Sequence, residues 1–310
     1  MGILVIGATF VDIKGFPFDN YLPTGRNAGK VEYVHGGVAR NVVEDIANVE
    51  LRPTFLSIVD DSPMGDAVVK KLNNHKVNTD YILTRPDGMG TWLAVFDNNG
   101  DVAGSISKRP NMYPIAELLE EEGDEIFSQC PSVVLEIGLD KEIVKGTLAL
   151  AKKHNVKTFA LVANMSIAAE RRDLLQQFDC VICNQQEAGI LFLDEYDDKS
   201  PEEMRDILAE RITAANIPSM VVTMGAEGAV YANLAGEQGW SPARKVDVVD
   251  TTGAGDAFCA GAVIGMTYGK DMGQSCGIGS MLAASVLMTM EAVCPRFQPR
   301  ELGLDMEPRA

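Results

Sequence analysis

The stretch of this chain best equipped for chemistry is Val249-Asp250-Thr251-Thr252-Gly253-Ala254-Gly255-Asp256-Ala257-Phe258. Gly253 and Gly255 lead into a helical pattern rich in small residues, with Ala257, Ala260, Gly261 and Gly265. A glycine turn running into a helix N-terminus presents unpaired backbone N–H groups and the positive end of the helix dipole, which suit an anion. Asp256 falls in the first turn of that helix. Many first-turn carboxylates merely complement the dipole. A carboxylate that takes a hydroxyl proton while nearby N–H groups hold a migrating phosphoryl needs the same placement. Spacing alone leaves both roles open.

Other candidate motifs carry less. Gly25 to Lys30 and Gly265 to Lys270 look like phosphate-binding loops, but each is one residue short between glycines and neither is followed by Ser or Thr. Gly277-Ile-Gly279 lacks the third glycine of a dinucleotide fingerprint and lies late in the chain. Cys180-Val-Ile-Cys183 has a metal or redox spacing, yet no second pair completes a zinc site. Its apolar setting predicts a buried strand instead.

Charge narrows the partners. The 310 residues carry 27 Lys+Arg against 44 Asp+Glu, a net charge of −17. Such a surface repels nucleic-acid backbones and anionic lipid, so neither a nucleic acid nor a membrane is an expected partner. An anionic small substrate then requires a local positive device: a metal, a helix N-terminus or a few basic residues. With 46% hydrophobic and 23% charged residues, disordered and collagen-like classes are excluded. Six cysteines in a chain of this length make no disulfide framework and predict a reducing, cytoplasmic setting. Met1 to Ile6 lacks a basic leader and reads as a strand, and no apolar run reaches the ~18 residues of a membrane span.

These residues need elements to position them. Ile3 to Ile6, ending in Gly7, reads as a central parallel strand covered on both faces. Asn41 to Val49 and Gly65 to Asn73 read as helices, Thr54 to Ile58 and Tyr81 to Thr84 as strands. Thr91 to Asp97 and Val102 to Ile106 are predicted strands joined by the turn Asn98-Asn99-Gly100-Asp101. Later strands are predicted at Ser132 to Glu136, Thr158 to Val162, Phe178 to Ile182, Met220 to Thr223 and Ala229 to Ala232. Helices are predicted at Lys141 to His154, Ser166 to Gln177, from Gln185, and at Pro201 to Ala215, Gly255 to Tyr268 and Met272 to Met290. The alternation implies one α/β domain over residues 1–310, with a mostly parallel, doubly wound sheet between helices. Two stretches break the pattern, about 11–33 and 90–108. Together they predict a small antiparallel flap beyond the carboxyl ends of the strands, where a lid over a ligand belongs.

Asp250-Thr251-Thr252-Gly253-Ala254-Gly255-Asp256-Ala257-Phe258 resembles the C-terminal signature of the ribokinase/PfkB family of carbohydrate and nucleoside kinases. Gly36-Gly37-Val38-Ala39-Arg40-Asn41 resembles its N-terminal signature, Asn184-Gln185-Gln186-Glu187 its N-x-x-E, and Thr223-Met224-Gly225-Ala226-Glu227-Gly228 its nucleotide-binding turn. The resemblance spans nearly the whole chain and implies a ribokinase-like fold and an ATP- and Mg²⁺-dependent kinase. It implies that Asp256 activates a substrate hydroxymethyl and that Thr252, Gly253, Ala254 and Gly255 form the anion hole. Asn184 and Glu187 would act in the Mg²⁺–phosphate network, although the pair also suits a capping box. Thr223, Gly225 and Gly228 would lie along ATP, and some members of the family also bind K⁺ beside the anion hole, near Asp250 and Thr252. Asp12, Gly36, Gly37, Asn41 and Glu136 would meet the sugar.

Asn27-Ala28-Gly29-Lys30, Thr91 to Gly100 and Gly236-Glu237-Gln238-Gly239-Trp240-Ser241 are most similar to pseudouridine kinases. They make Lys30 and Thr91 further substrate contacts and the 5′-hydroxyl of pseudouridine the expected acceptor. Phe10 replaces a family Asn, and Leu161-Val162 replaces an acidic residue and Pro. Trp92 could stack on a base. The alternatives are a kinase of fructose, ribose or a keto-deoxy sugar acid, and an inactive sugar- or nucleotide-binding member. Pairing of lid edges, as in some relatives, predicts a homodimer.

Overall fold

The computed structural model describes residues 2–162, 169–170 and 172–305. Its nine-stranded sheet has the order β13-β12-β11-β10-β9-β8-β1-β4-β5. The strands are β1 (Leu4–Ile6), β4 (Thr54–Val59), β5 (Ile82–Thr84), β8 (Ser132–Glu136), β9 (Lys157–Leu161), β10 (Cys180–Asn184), β11 (Ser219–Thr223), β12 (Ala229–Asn233) and β13 (Gln238–Ser241). From β5 to β11 all neighbours are parallel, and β12 and β13 continue antiparallel at one edge. The central strands are buried along almost their whole length, as their unbroken apolar runs require.

Side-chain alternation divides the core. Leu4 and Ile6 join one apolar cluster with Val133, Ile115, Ile143 and Leu208. Ile3 and Val5 join the other with Val134, Ile46, Ile264 and Leu282. The first face is covered by α3 (Pro114–Phe127), α4 (Lys141–His154) and α6 (Pro201–Ala215), and the second by α1 (Val38–Asn48), α2 (Pro63–Asn74), α7 (Ala254–Thr267) and α8 (Met272–Leu287). The short helix α5 (Gln185–Phe192) follows β10 directly. The small residues of α7 let it press on α8: a Cβ at Gly261 would lie 2.7 Å from Gly279 Cα.

Expected boundaries hold to within a few residues. α3 and β13 are additions to the expected elements. Of the helix expected over Ser166 to Gln177, the turn Arg172–Leu175 is described, while residues 166–168 and 171 lie outside the described residues. Cys180 and Cys183 are both buried and unbridged, and burial pushes the Cys180 thiol up to about 12, as a packing role requires.

The two irregular stretches form a second sheet of order β3-β2-β6-β7. It comprises β2 (Phe10–Pro17), β3 (Gly29–Gly36), β6 (Gly90–Phe96) and β7 (Val102–Lys108). Two antiparallel hairpins are present, but β2 and β6 pair in parallel, so the sheet is mixed rather than wholly antiparallel. The reason is topological. β2 follows β1 and β6 follows β5, so both leave the main sheet in the same direction.

Candidate active site

From β1 the chain winds outward through β4 to β5, and from β8 it winds the other way through β9 and β10 to β11. The switch between β1 and β8 opens a crevice at the carboxyl ends of the strands, where open α/β sheets hold ligands. Glu136, the last residue of β8, bridges this crevice: its Oε2 accepts from Ala8 N at 3.0 Å. Burial raises its pKa, against the pull of the Ala8 N–H and of Arg109.

Above the crevice lies a cavity of about 590 Å³. Asp12, Trp92, Ser107 and Arg109 line it from the second sheet and its exit, Gly37 and Asn41 from the start of α1, Glu136 from the end of β8 and Asp140 from the N-cap of α4. Strand register explains the first group: Asp12 pairs with Val34 and Trp92, and Trp92 with Ser107, so one row of side chains faces the cavity. Burial raises the Asp12 pKa, while Lys14 and Arg40 draw it back. Gly36 is needed behind Asp12, since a Cβ there would lie 2.5 Å from its Oδ1. Gly37 turns the chain into α1 at φ 100°.

Asn41, in the first turn of α1, joins the two signatures. Its Nδ2 donates to Asp256 Oδ2 at 2.6 Å across 215 residues of sequence. Its Oδ1 is buried without a hydrogen-bond partner, an acceptor suited to a ligand hydroxyl in the cavity it lines. Asp256 is pushed up to about 7 by burial, helped by the charges of Glu136 and Glu187 and opposed by Asn41 and Arg40. A carboxyl poised there exchanges protons near neutrality, as a general base must.

Asp256 belongs to the first turn of α7, whose N-cap is Gly253 at φ 81° with no side-chain capping bond. The first-turn N–H groups of Gly255 and Asp256 therefore face outward uncapped. Gly255 has no heavy atom within 4 Å of an added Cβ, so open space lies beside it. Asp250 shapes the turn by accepting from Thr252 N at 2.9 Å. Burial works to raise Asp250, but the Thr252 bonds and Lys14 outweigh it and hold the carboxyl below its usual range.

On the far side, Asn184 caps α5: its Oδ1 accepts from Glu187 N at 2.8 Å, and Asn184 N donates to Glu187 Oε2 at 2.8 Å. The capping box is formed, and burial raises the Glu187 carboxyl. Thr223 ends β11, with its hydroxyl 3.5 Å from the Cys183 carbonyl. Gly225 and Gly228 have φ 55° and 99° in the turn to β12, and a Cβ at Gly228 would lie 2.1 Å from Ser241 O. Gly228→Ala is therefore expected to lower Tm, and Gly225→Ala, with open space around it, to lower it less. Paired thermal melts check both.

Two of the expected contacts stand apart from the cavity. Lys30 is exposed far out on β3 in an ion pair with Glu32. Thr91 pairs with Val11 and Lys108, a row of the opposite face parity from Trp92. Arg109, Ser107 and Asp140 line the cavity without a sequence signal, because nothing in local pattern marks which residues the fold gathers. Phe10 also lines it and abuts Gly90, where a Cβ would lie 2.5 Å from the ring. Gly90→Ala should displace the Phe10 ring and lower Tm by crowding this wall of the cavity; paired melts with wild type test this. Leu161 and Val162 are buried core residues. Among the described residues no cluster of three or more His, Cys, Asp or Glu could hold a metal ion, and no helix is long and apolar enough to cross a membrane.

A doubly wound sheet carrying a small second sheet over its switch point is a ribokinase-like fold, and the solved structures agree. Ribokinase from Arabidopsis thaliana, solved with ribose and ATP, superposes with a TM-score of 0.85 over 98% of this chain and 99% of its own, at 19% identity. The pfkB family carbohydrate kinase model matches residues 2–295, and the chain belongs to that family. It is 32% identical to guanosine-inosine kinase of Exiguobacterium acetylicum, over 93% of this chain and 95% of that one. It is 27% identical to pseudouridine kinase of Escherichia coli, over 90% and 89%. The protein is a phosphotransferase with a sugar or nucleoside hydroxyl as acceptor.

Proposed function

We propose that this protein transfers the γ-phosphoryl of ATP to the 5′-hydroxyl of a nucleoside, with the whole chain acting as one kinase domain and the second sheet as its lid. One observation carries the reading: Asp256, held by Asn41 and pushed up to about 7, stands at the uncapped N-terminus of α7. Asp256 takes the hydroxyl proton as the oxygen attacks, and the uncapped N–H groups of Gly255 and Asp256, where the Thr252–Gly255 turn enters α7, hold the phosphoryl oxygens. Asp12, Asn41 and Glu136 hold the ribose hydroxyls. Mg²⁺ carried with the nucleotide supplies positive charge there; Glu187 would hold it through water, and K⁺ would sit by Asp250 and Thr252. A cytoplasmic setting suits the buried, unbridged cysteines.

The base is a 6-oxopurine in this reading. A cavity of about 590 Å³ has room well beyond a pentose, and Trp92 and Phe10 line it as surfaces for a base. Similarity to the guanosine-inosine kinase exceeds that to the pseudouridine kinase. Pseudouridine is the second reading, favoured by the latter relative. Coupled ADP release with inosine, guanosine, pseudouridine, uridine, adenosine, ribose and fructose decides. Turnover on inosine and guanosine supports the first reading, on pseudouridine alone the second. Activity confined to a free sugar overturns the nucleoside assignment, and binding without turnover across the panel overturns the kinase itself.

The same reading makes the lid a dimer surface. Tyr33, Ile13, Leu93 and Ile106 form one row across all four strands on the face away from Asp12, and three of them are 40–70% exposed. Sedimentation should find a dimer that Tyr33→Lys/Ile106→Lys converts to monomer. A wild-type monomer at micromolar concentration would end this proposal.

A further inference from the structure

Arg40 is a charged group buried beside the site, and proton transfer and phosphoryl binding leave it without a task. Its side chain is 2% exposed, and Nη1 meets Glu44 Oε2 at 2.5 Å one turn along α1. The rest of the guanidinium turns back to the chain entering the helix. Nη2 donates to the carbonyl of His35, and Nε lies 3.4 Å from that of Gly36. These are the last two residues of β3, the point at which the chain leaves the lid for α1.

Glu44 is itself sealed from solvent and approached by Lys71 Nζ of α2 at 3.0 Å and by His75 Nε2, just past the end of α2, at 3.7 Å. The guanidinium is thus braced from behind. A buried ion pair is seldom retained for stability, because apolar residues of equal volume do as well or better there, and fixing one arrangement is its better-supported use. Here something needs fixing. The junction Gly36-Gly37 is free of side chains, and Gly37 has φ 100°, so the backbone alone leaves the lid's angle loosely defined.

What hangs on that angle is the relation between two carboxylates. Asp12 sits on β2 opposite Val34 of β3, with Gly36 packed directly behind its carboxyl group. Asp256 is held by Asn41, the residue after Arg40. We propose that Arg40, braced by Glu44, is a positioning residue that locks the root of the lid to the first turn of α1 and so sets Asp12 in register with Asp256 around the acceptor. This rests on the kinase reading above for its kinetic consequences, but not for its structural ones.

The test uses Arg40→Met/Glu44→Leu, which removes both buried charges together and avoids an orphaned carboxylate, with Arg40→Lys alongside. The first readout is amide hydrogen exchange on the full-length protein without ligand. In the double variant, β3 and β2 should exchange on the order of tenfold faster while β1, β8 and β9 stay as in wild type. The second readout is kinetic. The acceptor KM should rise about 10- to 100-fold, with the ATP KM changed less than about threefold. Arg40→Lys, which keeps the charge but not the fork, should recover only part of the loss. Unchanged exchange in the lid overturns the proposal whatever the activity. So does faster exchange spread evenly over the main sheet, which would make the pair a general stabiliser. Loss of lid protection in the variant, with the wild-type protein itself inactive on every nucleoside, sustains the lock and removes only the nucleoside reading.

Discussion

Asp256→Asn is expected to cut turnover by about 10²- to 10⁴-fold while raising thermal stability, a combination that few substitutions produce. The rate loss follows from removing the proton acceptor. The gain follows from the environment that tunes it. Burial raises the Asp256 carboxyl from 3.8 to about 7, so the folded protein holds a proton there that the unfolded chain releases above about pH 4. The carboxylate's contribution to stability accordingly falls as pH rises from about 4 to 7 and is least favourable above 7. A neutral amide escapes this penalty, and its side-chain oxygen can still accept from Asn41. The expected difference is near zero at pH 4, grows toward neutrality, and levels off on the order of 4 kcal/mol above pH 7. Paired melts at pH 5 and pH 8 test the sign. Wild-type turnover in the variant removes the base assignment, and a Tm that falls equally at both pH values removes the burial argument.

The same titration sets the pH–rate profile. With Asp256 near 7, kcat/KM should fall about tenfold per pH unit below neutrality and level off above it. Glu136→Gln should move that limb to lower pH, because the Glu136 charge is one of those raising Asp256. A limb that stays in place would mean that another group controls it.

How much of this could be read from residues varies with the range of the interaction. Parallel strands buried on both faces leave unbroken apolar runs, so Leu4–Ile6 and its neighbours were legible. The glycines before Asp256 predict a helix N-terminus because few other sequences form one so openly. Register is another matter. Whether Thr91 or Trp92 faces the cavity depends on a single-residue offset between β2 and β6, and no local pattern sets it. Lys30 falls on the same face parity as Asp12, yet it lies too far along β3 and pairs with Glu32 instead. The contact between Asn41 and Asp256 spans the whole fold. Motif resemblance places both in the site, but only the packing of α1 against α7 brings one to the other.

Gly253→Ala is expected to cost both stability and about 10²- to 10³-fold in rate, the scale for losing one oxyanion donor. Gly253 sits at φ 81°, a conformation that strains any residue with a Cβ, and that Cβ would lie 2.0 Å from Ala292 O. The clash is with backbone. That backbone is tied down: two residues on, Cys294 N donates to Asp45 Oδ1 at 2.6 Å, and Asn48 Nδ2 donates to the Cys294 carbonyl at 2.6 Å. The segment from Ala292 to Cys294 is therefore pinned to α1 and cannot retreat, so the turn before α7 must move and carry its N–H groups away from the phosphoryl. Gly255→Ala is the control, since its Cβ would meet nothing within 4 Å. That variant should keep its Tm and lose rate only where the methyl group meets the phosphoryl oxygens. Equal Tm losses in the two variants would mean that the close approach to Ala292 is not what makes a Cβ at Gly253 costly. A Gly253→Ala protein with wild-type rate and melting would show that the pinned segment yields, and that the anion site does not depend on this turn.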